Sequence, residues 1–361
     1  MAGIYIHIPY CRAKCYYCDF FSTPRTDTVA ATLDGIVAEY ACRRQELASH
    51  PVSTVYFGGG TPSSLPSSAL ARICDAIPMG GACERTIEVN PDDVTAKNAG
   101  EWLGMGFNRV SMGIQSLNDD ELRSVGRRHS AAEAITALST LRDAGFDNIS
   151  ADLIYGLPGQ TPASWETSLR RLLDTGITHL SAYSLSYEPG TRLTAMLAAG
   201  RITPVDDDTV AQMYHILCRI ASDAGFEHYE ISNFARPEMR SRHNSAYWTS
   251  TPYLGLGPGA HSLAADGTRR ASPANIARWL RDGAQIDAET DVDRLNDRII
   301  TGLRTSDGLD LSTFHPDEAE ALLGRAARFL RSGKLEYAGG VLSIPEKHWI
   351  VSDGIMCELL A

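Results

Sequence analysis

Three cysteines near the start of the chain constrain this protein more than any other feature. Cys11, Cys15 and Cys18 form a C-x3-C-x2-C array directly after the alternating run from Gly3 to Ile8, which predicts a β-strand. Three thiolates on one loop can meet at one soft metal centre, and a cubane iron–sulfur cluster takes four thiolates, one for each iron. Three cysteines leave one iron open, and an open coordination position is typical of a metal site that performs chemistry.

Two simpler interpretations of the array compete with a cluster. The cysteines could form a zinc site that lacks its fourth ligand, or they could be neighbours by chance. Neither Cys nor His occurs in the twenty positions after Cys18, so no zinc tetrahedron is completed nearby. The spacing therefore favours the cluster.

The array resembles the signature of the radical S-adenosylmethionine (SAM) superfamily. In that superfamily the amino and carboxylate groups of SAM chelate the fourth iron. The resemblance implies a [4Fe-4S] cluster held by Cys11, Cys15 and Cys18, with SAM as a second cofactor.

The remaining cysteines indicate a reducing compartment. A chain of 361 residues buries enough core to need no disulfides, and Cys42, Cys74, Cys83, Cys218 and Cys357 are scattered, mostly in stretches with apolar periodicity. We expect them to be reduced core thiols. The N-terminus lacks the basic and apolar regions of a secretory signal, so the sequence predicts a cytoplasmic protein.

Composition also argues against a membrane-spanning helix and against nucleic acid as a partner. The longest stretch without charged residues, His243 to Ala265, contains two prolines and three glycines and cannot be a spanning helix. The net charge of -11 argues against a binder of nucleic-acid phosphates. Peripheral membrane association and homodimer formation both stay open.

Apolar, β-branched runs alternate with segments of helical periodicity, which predicts repeated βα units around a parallel sheet. The helical segments include Thr28 to Leu47 and Ala131 to Ala144, the latter with a capping box formed by Ser130 and Glu133. After Leu185 the alternation of strand-like and helix-like segments ends. The predicted fold class is therefore α/β with a partial (β/α)6 barrel. The six predicted strands are Ile4 to Ile8, Thr54 to Phe57, Thr86 to Val89, Arg109 to Ile114, Ile149 to Ile154 and Leu180 to Leu185.

Polar motifs follow the first five strands at the ends where such barrels place their chemistry. After the cysteine loop come the segments that begin at Gly58, Glu88, Gln115 and Asp152. Glycines after a strand let the backbone approach a ligand closely, and an acidic residue accepts hydrogen bonds from ribose hydroxyls.

The resemblance assigns SAM contacts to individual residues at these ends. It implies that the glycine-rich segment meets the methionine amino group, that Glu88 meets the ribose, and that the others contact the methionyl carboxylate and the nucleoside. Arg127 suits the carboxylate because a guanidinium pairs with it bidentately, whereas Arg128 is expected on a solvated face. The full set is Tyr5, Gly58, Gly59, Gly60, Thr61, Glu88, Gln115, Arg127 and Asp152.

Longer motifs resemble the oxygen-independent coproporphyrinogen III oxidase group. They are the segment from Tyr5 to Cys11, GGGTPS from Gly58, SMGIQS from Ser111 and DLIYGLP from Asp152. The oxidases of that group have a fourth cysteine where this chain has Phe20. The heme chaperone branch has phenylalanine there, together with a His-Asn-x-x-Tyr-Trp motif associated with heme.

This chain carries that motif as HNSAYW from His243 to Trp248. A neutral imidazole is a good axial ligand for heme iron, and the neighbouring aromatic rings can stack on a porphyrin. An isolated histidine is also often structural. We expect His243 to be the heme ligand.

The resemblance implies a heme chaperone that delivers heme to recipient apo-hemoproteins, with the cluster and SAM acting as an assembly switch. The alternative is a radical SAM coproporphyrinogen III dehydrogenase that decarboxylates propionates, so enzymatic activity stays open. An iron–sulfur electron carrier would leave the predicted SAM pocket unexplained.

We divide the chain into a barrel at residues 1–225, a connecting segment at 226–285 that carries HNSAYW, and a small C-terminal domain at 286–361. The segment is expected to cross the open side of the barrel, and its Gly255 to Gly259 loop to be structural or to face porphyrin. Two helices and a hairpin with Gly339-Gly340 at its turn predict a winged-helix-like α+β domain. Its 14 acidic and 8 basic residues, a difference of -6, argue against DNA.

Overall fold

The computed structural model describes residues 1–47, 49–77 and 79–361. Its main element is a twelve-stranded sheet, in the order β12-β11-β10-β9-β1-β2-β3-β4-β5-β6-β8-β7. The strands of this sheet are β1 (Ala2–Ile8), β2 (Val52–Gly59), β3 (Glu84–Val89), β4 (Arg109–Gln115), β5 (Asn148–Tyr155), β6 (His179–Ser184), β7 (Glu227–Glu230), β8 (Asn233–Ala235), β9 (Tyr253–Leu256), β10 (His261–Leu263), β11 (Arg269–Ala271) and β12 (Gln285–Asp287).

The first six strands confirm the predicted βα units. Each pairs in parallel with the next one along the chain. The helices are α1 (Val29–Arg43), α2 (Ser67–Ala76), α3 (Ala96–Gly104), α4 (Asp119–Ser124), α5 (Ala131–Ala144), α6 (Pro162–Leu173), α7 (Arg192–Ala198), α8 (Asp207–Asp223), α9 (Arg242–Trp248), α10 (Ile276–Asp282), α11 (Asp291–Leu303), α12 (Pro316–Arg331) and α13 (Ser352–Cys357). Short 3-10 helices lie at Arg44–Leu47, Pro62–Ser64, Pro91–Asp93, Leu311–Thr313 and Glu346–Val351.

The two faces of the barrel strands differ in chemistry, as the alternation along β1 illustrates. Ile4, Ile6 and Ile8 are fully buried in the main apolar core, and each contributes about 1.5 to 3 kcal/mol by leaving water. Tyr5 and His7 point to the other face, where Tyr5 packs against other aromatic rings. The sheet therefore has an apolar outer face and a polar, aromatic interior.

The sheet extends further at both edges than the six predicted strands. Beyond β6, strands β8 and β7 add in antiparallel orientation. Beyond β1, strand β9 is a seventh parallel strand, followed by antiparallel β10, β11 and β12. Nearly all of these strands lie in residues 226–285, so this segment passes from one edge of the sheet to the other. They have three or four residues each, too few for a clear alternation pattern.

The C-terminal residues form the expected small α+β unit. Helices α11 and α12 flank a three-stranded sheet of β13 (Leu309–Asp310), β15 (Val341–Ser343) and β14 (Glu336–Ala338). Gly339 and Gly340 make the hairpin turn with φ of 60° and 88°, the left-handed region that glycine adopts at low cost. The predicted winged-helix-like pattern is confirmed.

Local details both confirm and correct the expectations. The capping box of Ser130 and Glu133 begins α5. All eight cysteines are free thiols, but Cys42, Cys83 and Cys357 are exposed, so the expectation that they are core thiols was wrong. These three cysteines lie on the outward-facing side of their helices and loops, which apolar periodicity over such short stretches does not predict.

Within the described residues, no helix is long and apolar enough to cross a membrane.

Candidate functional site

A cavity of about 500 Å³ opens at the carboxyl ends of the strands β1 to β6. Its wall contains all three cysteines of the array and most of the residues that the resemblance assigned to SAM. Those that line it are Cys11, Cys15, Cys18, Gly59, Gly60, Thr61, Glu88, Gln115, Arg127 and Asp152.

The cysteine loop is held to the barrel by backbone and ionic contacts. The N–H of Cys11 donates to the carbonyl of Thr23 at 3.1 Å, which closes the loop at its base. Arg12 pairs with the buried carboxylate of Asp93 at 2.7 Å. Burial raises the pKa of Cys11, and it raises that of Cys18 to about 11. Without a metal these two groups are therefore protonated thiols at neutral pH, and metal binding releases their protons.

The glycine-rich segment ties the second strand to the cysteine loop. The N–H groups of Gly60 and Thr61 donate to the carbonyls of Ile8 and Tyr10, each at 2.8 Å. A Cβ on Gly60 would lie 2.8 Å from the carbonyl oxygen of Tyr10, so only glycine fits this approach. An ammonium group only donates hydrogen bonds, so the backbone groups that can meet a ligand's ammonium here are carbonyl oxygens.

Two carboxyl groups lie inside the mouth of the barrel. Glu88 accepts hydrogen bonds from the hydroxyl of Tyr56 at 2.8 Å and the N–H of Gly59 at 3.1 Å. Burial raises its pKa to about 7, and the nearby charge of Asp152 adds to the increase. Burial likewise raises the pKa of Asp152 to about 6, opposed by hydroxyl hydrogen bonds and by Arg109. Both groups titrate near neutral pH, unlike surface carboxylates.

Arg127 joins the cysteine loop to the strand ends. Its guanidinium donates to Asn90 Oδ1 at 2.8 Å, to the carbonyl of Gly113, and to Cys15 Sγ at 3.4 Å. Its Nε is buried without a partner among the described residues. Arg128 instead forms an ion pair with Asp92 at the surface. The structure thus places Arg127 in the cavity wall and Arg128 at the surface.

Gln115 reaches the cavity through an unusual backbone conformation. Its φ is 71°, in the left-handed region, which costs a non-glycine residue free energy unless the surroundings impose it. The pairing of β4 with β5 shifts register between Gly113 and Gln115. This bend at the strand end directs the side chain into the cavity, and no pattern in the sequence indicates it.

Sequence reasoning missed several residues of the wall. Asn90 orients Arg127, Ser111 donates to Asp152 at 3.4 Å, and Tyr183 lines the cavity from β6. Asn90 and Ser111 stand within motifs that the sequence analysis singled out, and the inward alternation of β4 and β5 could have identified Ser111. Phe20 also lines the cavity, with 67% of its surface exposed at the rim.

Gly58 precedes the wall residue Gly59 but is not itself among the described residues that line the cavity. Two further residues of the predicted site lie deeper in the barrel or at its other end. Of the residues described, those that line the cavity include neither Tyr5 nor His243. The ring of Tyr5 lies deeper in the barrel, with its hydroxyl 3.2 Å from His7 Nδ1 and its centroid 6.4 Å from that of His243. Tyr5 therefore does not reach this cavity and cannot contact a SAM molecule bound there in this conformation.

His243 lies at the opposite end of the barrel, where the strands begin. Its Nδ1 is 2.8 Å from Thr54 Oγ1 and its Nε2 is 2.9 Å from the hydroxyl of Tyr247. The ring stacks on Tyr56 with centroids 5.0 Å apart, and burial lowers its pKa to about 3. The imidazole is neutral, buried and satisfied at both nitrogens, so in this conformation it presents no free nitrogen to a heme iron.

Helix α9 holds His243 in place. The N–H groups of Arg242 and His243 donate to the carboxylate of Glu84, at 2.9 and 2.8 Å, and Ser241 caps the helix. A carboxylate at a helix N-terminus is favoured by the helix dipole. The HNSAYW motif thus closes the amino end of the barrel. The Gly255 to Gly259 loop is structural: a Cβ on Gly257 would lie 2.6 Å from the carbonyl oxygen of His7.

The donor set of the cavity fits the two cofactors. Three free thiols face one space, and two carboxyls lie across it. The Arg127 Nε beside the thiols has no partner in the described ranges of the chain. An open parallel barrel with three cysteines after its first strand and a glycine-rich segment after its second defines a radical SAM protein. The family model described as the radical SAM superfamily matches residues 5–172, and the one described as the HemN C-terminal domain matches residues 290–351.

Relatives that match most of this chain identify the family within the radical SAM superfamily. The heme chaperone HemW of Synechocystis sp. is 36% identical over 93% of this chain and 86% of its own length. HemW of Bacillus subtilis is 33% identical, over 90% and 89%. The mitochondrial radical S-adenosyl methionine domain-containing protein 1 of Mus musculus is 38% identical over 72% of this chain and 60% of its own. The chain belongs to the HemW family.

A solved structure supports the fold at lower identity. The radical SAM enzyme coproporphyrinogen III oxidase (HemN) of Escherichia coli matches with a TM-score of 0.84 and 23% identity, covering 100% of this chain and 90% of its own. The likeness extends over barrel, edge strands and C-terminal unit together.

Proposed function

We propose that this protein is a heme chaperone that carries a [4Fe-4S] cluster and SAM and passes heme to recipient apo-hemoproteins. The observation that carries the proposal is the similarity to HemW proteins along nearly the whole chain. Phe20 supports it, since the cysteine that marks the oxidase branch is replaced there. The eight free thiols support a cytoplasmic location.

The cofactors have proposed holders on this chain. Cys11, Cys15 and Cys18 would bind three irons of the cluster, whose open iron supplies a binding position for SAM. Arg127 would pair with the methionyl carboxylate through its buried guanidinium, and Glu88 would accept from the ribose with its remaining lone pairs. Carbonyl oxygens of the Gly58 to Gly60 segment would accept from the amino group.

Heme ligation by His243 remains part of the proposal under one condition. Both ring nitrogens already have partners in Thr54 and Tyr247, so α9 must move away from the barrel before iron can bind. The helix has only seven residues and follows a loop, and short helices depend on tertiary contacts for their stability. Moving α9 exposes Tyr247 and Trp248 together with the imidazole.

The test is an anaerobic heme titration of the cluster-loaded protein, followed in the Soret region. Wild type is expected to saturate near one heme per chain, and His243→Ala to weaken binding and change the spectrum. Tyr247→Phe is the matched variant, because it frees Nε2 while keeping the imidazole. Tighter binding in Tyr247→Phe than in wild type would support release of His243 as the limiting step.

Two outcomes would contradict this proposal. Unchanged stoichiometry and spectrum in His243→Ala would remove the ligand assignment and leave chaperone function to be carried by another site. Absence of heme binding together with conversion of coproporphyrinogen III to protoporphyrinogen would establish the dehydrogenase instead.

A further inference from the structure

Three side chains with metal-binding atoms meet where the barrel contacts the C-terminal domain. None of the three is among the described residues that line the cavity. The three are Cys218 on α8, His228 on β7 and Glu346 in the 3-10 helix Glu346–Val351, and their ligand atoms all lie within 4.8 Å of one another. His228 Nδ1 is 2.9 Å from Glu346 Oε1 and 3.9 Å from Cys218 Sγ. A thiol, an imidazole and a carboxyl from three separate elements thus face one point.

The imidazole is held in the orientation that a metal ligand needs. His228 Nε2 lies 3.2 Å from the carbonyl oxygen of Ile231, and because a carbonyl only accepts, Nε2 carries the proton. The other nitrogen, Nδ1, therefore faces the thiol and the carboxyl. Metal-bound histidines usually donate their second N–H to a carbonyl or carboxylate in this way. Phe234 stacks on the ring at 4.0 Å and Trp349 packs edge-on at 4.3 Å, so the ring cannot turn freely.

An independent observation comes from Tyr214, which lies one helical turn before Cys218 and on the same face of α8. Tyr214 is 4% exposed, and its hydroxyl lies beside the Cys218 thiol but has no hydrogen-bond partner of good geometry among the described residues. Its ring centroid is 6.2 Å from that of His228. A buried hydroxyl without a partner costs free energy, and a metal ion or a water bound to that ion would satisfy it.

We propose that Tyr214, Cys218, His228 and Glu346 form a site for a divalent cation, with Zn²⁺ as the ion of best fit. Thiolate, imidazole and carboxylate together are typical zinc ligands. Tetrahedral zinc at its usual bond lengths separates its ligand atoms by about 3.3 to 3.8 Å, so the observed spacings need only small side-chain shifts. Three protein ligands leave a fourth position for water beside the Tyr214 hydroxyl. The Glu346 side chain is 57% exposed, which gives an ion a path from solvent.

An ion pair between His228 and Glu346 without metal is the competing interpretation. It accounts for the 2.9 Å contact, but it gives no reason for the Cys218 thiol to lie 3.9 Å from the same ring nitrogen. The cation would link α8 and β7 of the barrel to the C-terminal domain, beside Trp349. Its binding would displace the thiol proton, so affinity rises with pH. The site is independent of heme and of the cluster.

The first test measures zinc in the cluster-loaded full chain after equilibrium dialysis. One zinc per chain is expected in wild type, with affinity reduced about tenfold or more in Cys218→Ser and in His228→Ala. Cys74→Ser is the matched control, because Cys74 is also partly buried on a barrel helix but has no place in the cluster of ligands. Equal loss in the control, or no zinc in wild type, would overturn the proposal.

A second test needs no variant and separates this site from capture of zinc by the cysteine array. Zinc K-edge absorption of the loaded wild-type protein is expected to show one Zn–S distance near ~2.3 Å and the other ligands as N or O near ~2.0 to 2.2 Å. Three sulfurs would place the ion on Cys11, Cys15 and Cys18. No sulfur at all would exclude Cys218, and either result would refute the site.

Discussion

The two ends of the barrel are built from the same strands but differ in whether their candidate ligand-binding groups face open space. At the carboxyl end Glu88 and Asp152 have raised pKa values, and Arg127 Nε lacks a partner within the part of the chain that the structure describes. At the amino end His243 is buried and hydrogen-bonded at both nitrogens, with its pKa lowered to about 3. At the carboxyl end these groups face the cavity, whereas at the amino end both ring nitrogens of the candidate heme ligand already have protein partners. The buried Nε and Nη1 of Arg109, the first residue of β4, have no partner among the described residues.

The difference shows that the candidate ligand atoms of a ligand-associated motif can be occupied by hydrogen bonds within the protein. The HNSAYW helix closes the amino end through contacts that also occupy its candidate ligand atoms. Binding at that end must break existing hydrogen bonds, and the apparent affinity falls by the fraction of molecules that are open. Binding at the carboxyl end needs no such step.

The largest expected effect is loss of the cluster at the open end. Cys15→Ala should abolish a stable [4Fe-4S] cluster after anaerobic reconstitution, because two protein thiolates replace three. The measurement is iron and sulfide content with the visible absorption spectrum. Cys74→Ser should retain the cluster fully. A normal cluster in Cys15→Ala would mean that the three cysteines are not the ligand set.

The next effect concerns the stability of the closed end. His243→Ala should lower the free energy of unfolding by about 3 to 5 kcal/mol, since it leaves a cavity and two buried hydroxyls without partners. Urea denaturation of the cluster-free protein measures this. His215→Ala removes an exposed histidine from α8 and should change stability by less than about 0.5 kcal/mol. A similar small effect of both substitutions would show that the amino end is not closed in solution.

A smaller effect is expected on SAM affinity at the open end. Arg127→Ala should weaken SAM binding to the cluster-loaded protein by about 10- to 100-fold, because a charge-assisted hydrogen bond to the carboxylate is lost. Anaerobic calorimetry gives the affinity. Arg128→Ala should stay within about twofold, as exposed ion pairs contribute little. The two arginines would have to exchange roles if Arg128→Ala had the larger effect.

The subtlest prediction is that the two ends respond oppositely to pH. Glu88 has a folded pKa of about 7, raised by burial from 4.5, so the unfolded state loses its proton first and stability falls as pH rises from 4.5 to 7. His243 has a folded pKa of about 3, lowered by burial from 6.5, so the unfolded state gains a proton first and stability falls as pH drops from 6.5 to 3. Each group changes stability by at most about 1.4 kcal/mol per pH unit.

Variants can separate the two limbs of this pH profile. In urea titrations of the cluster-free protein, Glu88→Gln should flatten part of the decline in stability above pH 4.5, because Asp152 also has a raised pKa and contributes to that decline. Glu88→Gln should leave the loss of stability at acid pH unchanged. His243→Gln should reduce part of the loss of stability below pH 6.5 and leave the decline above pH 4.5 that Glu88 causes unchanged. An unchanged profile in both variants would show that these groups are not buried as the structure indicates.

Prediction from sequence was most successful for features of short range. The six parallel strands, the capping box at Ser130 and the hairpin at Gly339 follow from alternation, capping and turn chemistry within a few residues. The shared location of the three cysteines and of most predicted SAM residues in one cavity wall followed because carboxyl ends of parallel strands lie at one face of a barrel. Arg128 was expected on a solvated face, and its side chain is exposed there, whereas Arg127 lines the cavity.

Features that depend on distant contacts could not be read in this way. The positive φ of Gln115 arises from the register of β4 against β5. The pairing of β9 with β1 joins segments some 250 positions apart, and strands of three or four residues have little pattern of their own. The position of Tyr5 below the cavity depends on which layer of the interior its side chain enters.

The sequence by itself determined the class of this protein, because cysteine spacing, strand alternation and glycine placement are local and each has a direct chemical consequence. Only the tertiary structure decided that His243 faces inward at the closed end, and that Cys218, His228 and Glu346 meet beside the C-terminal domain. Those positions result from α9, β7 and the C-terminal domain packing against a sheet whose strands are distant in sequence. The free energy of that packing depends on contacts that no local pattern records.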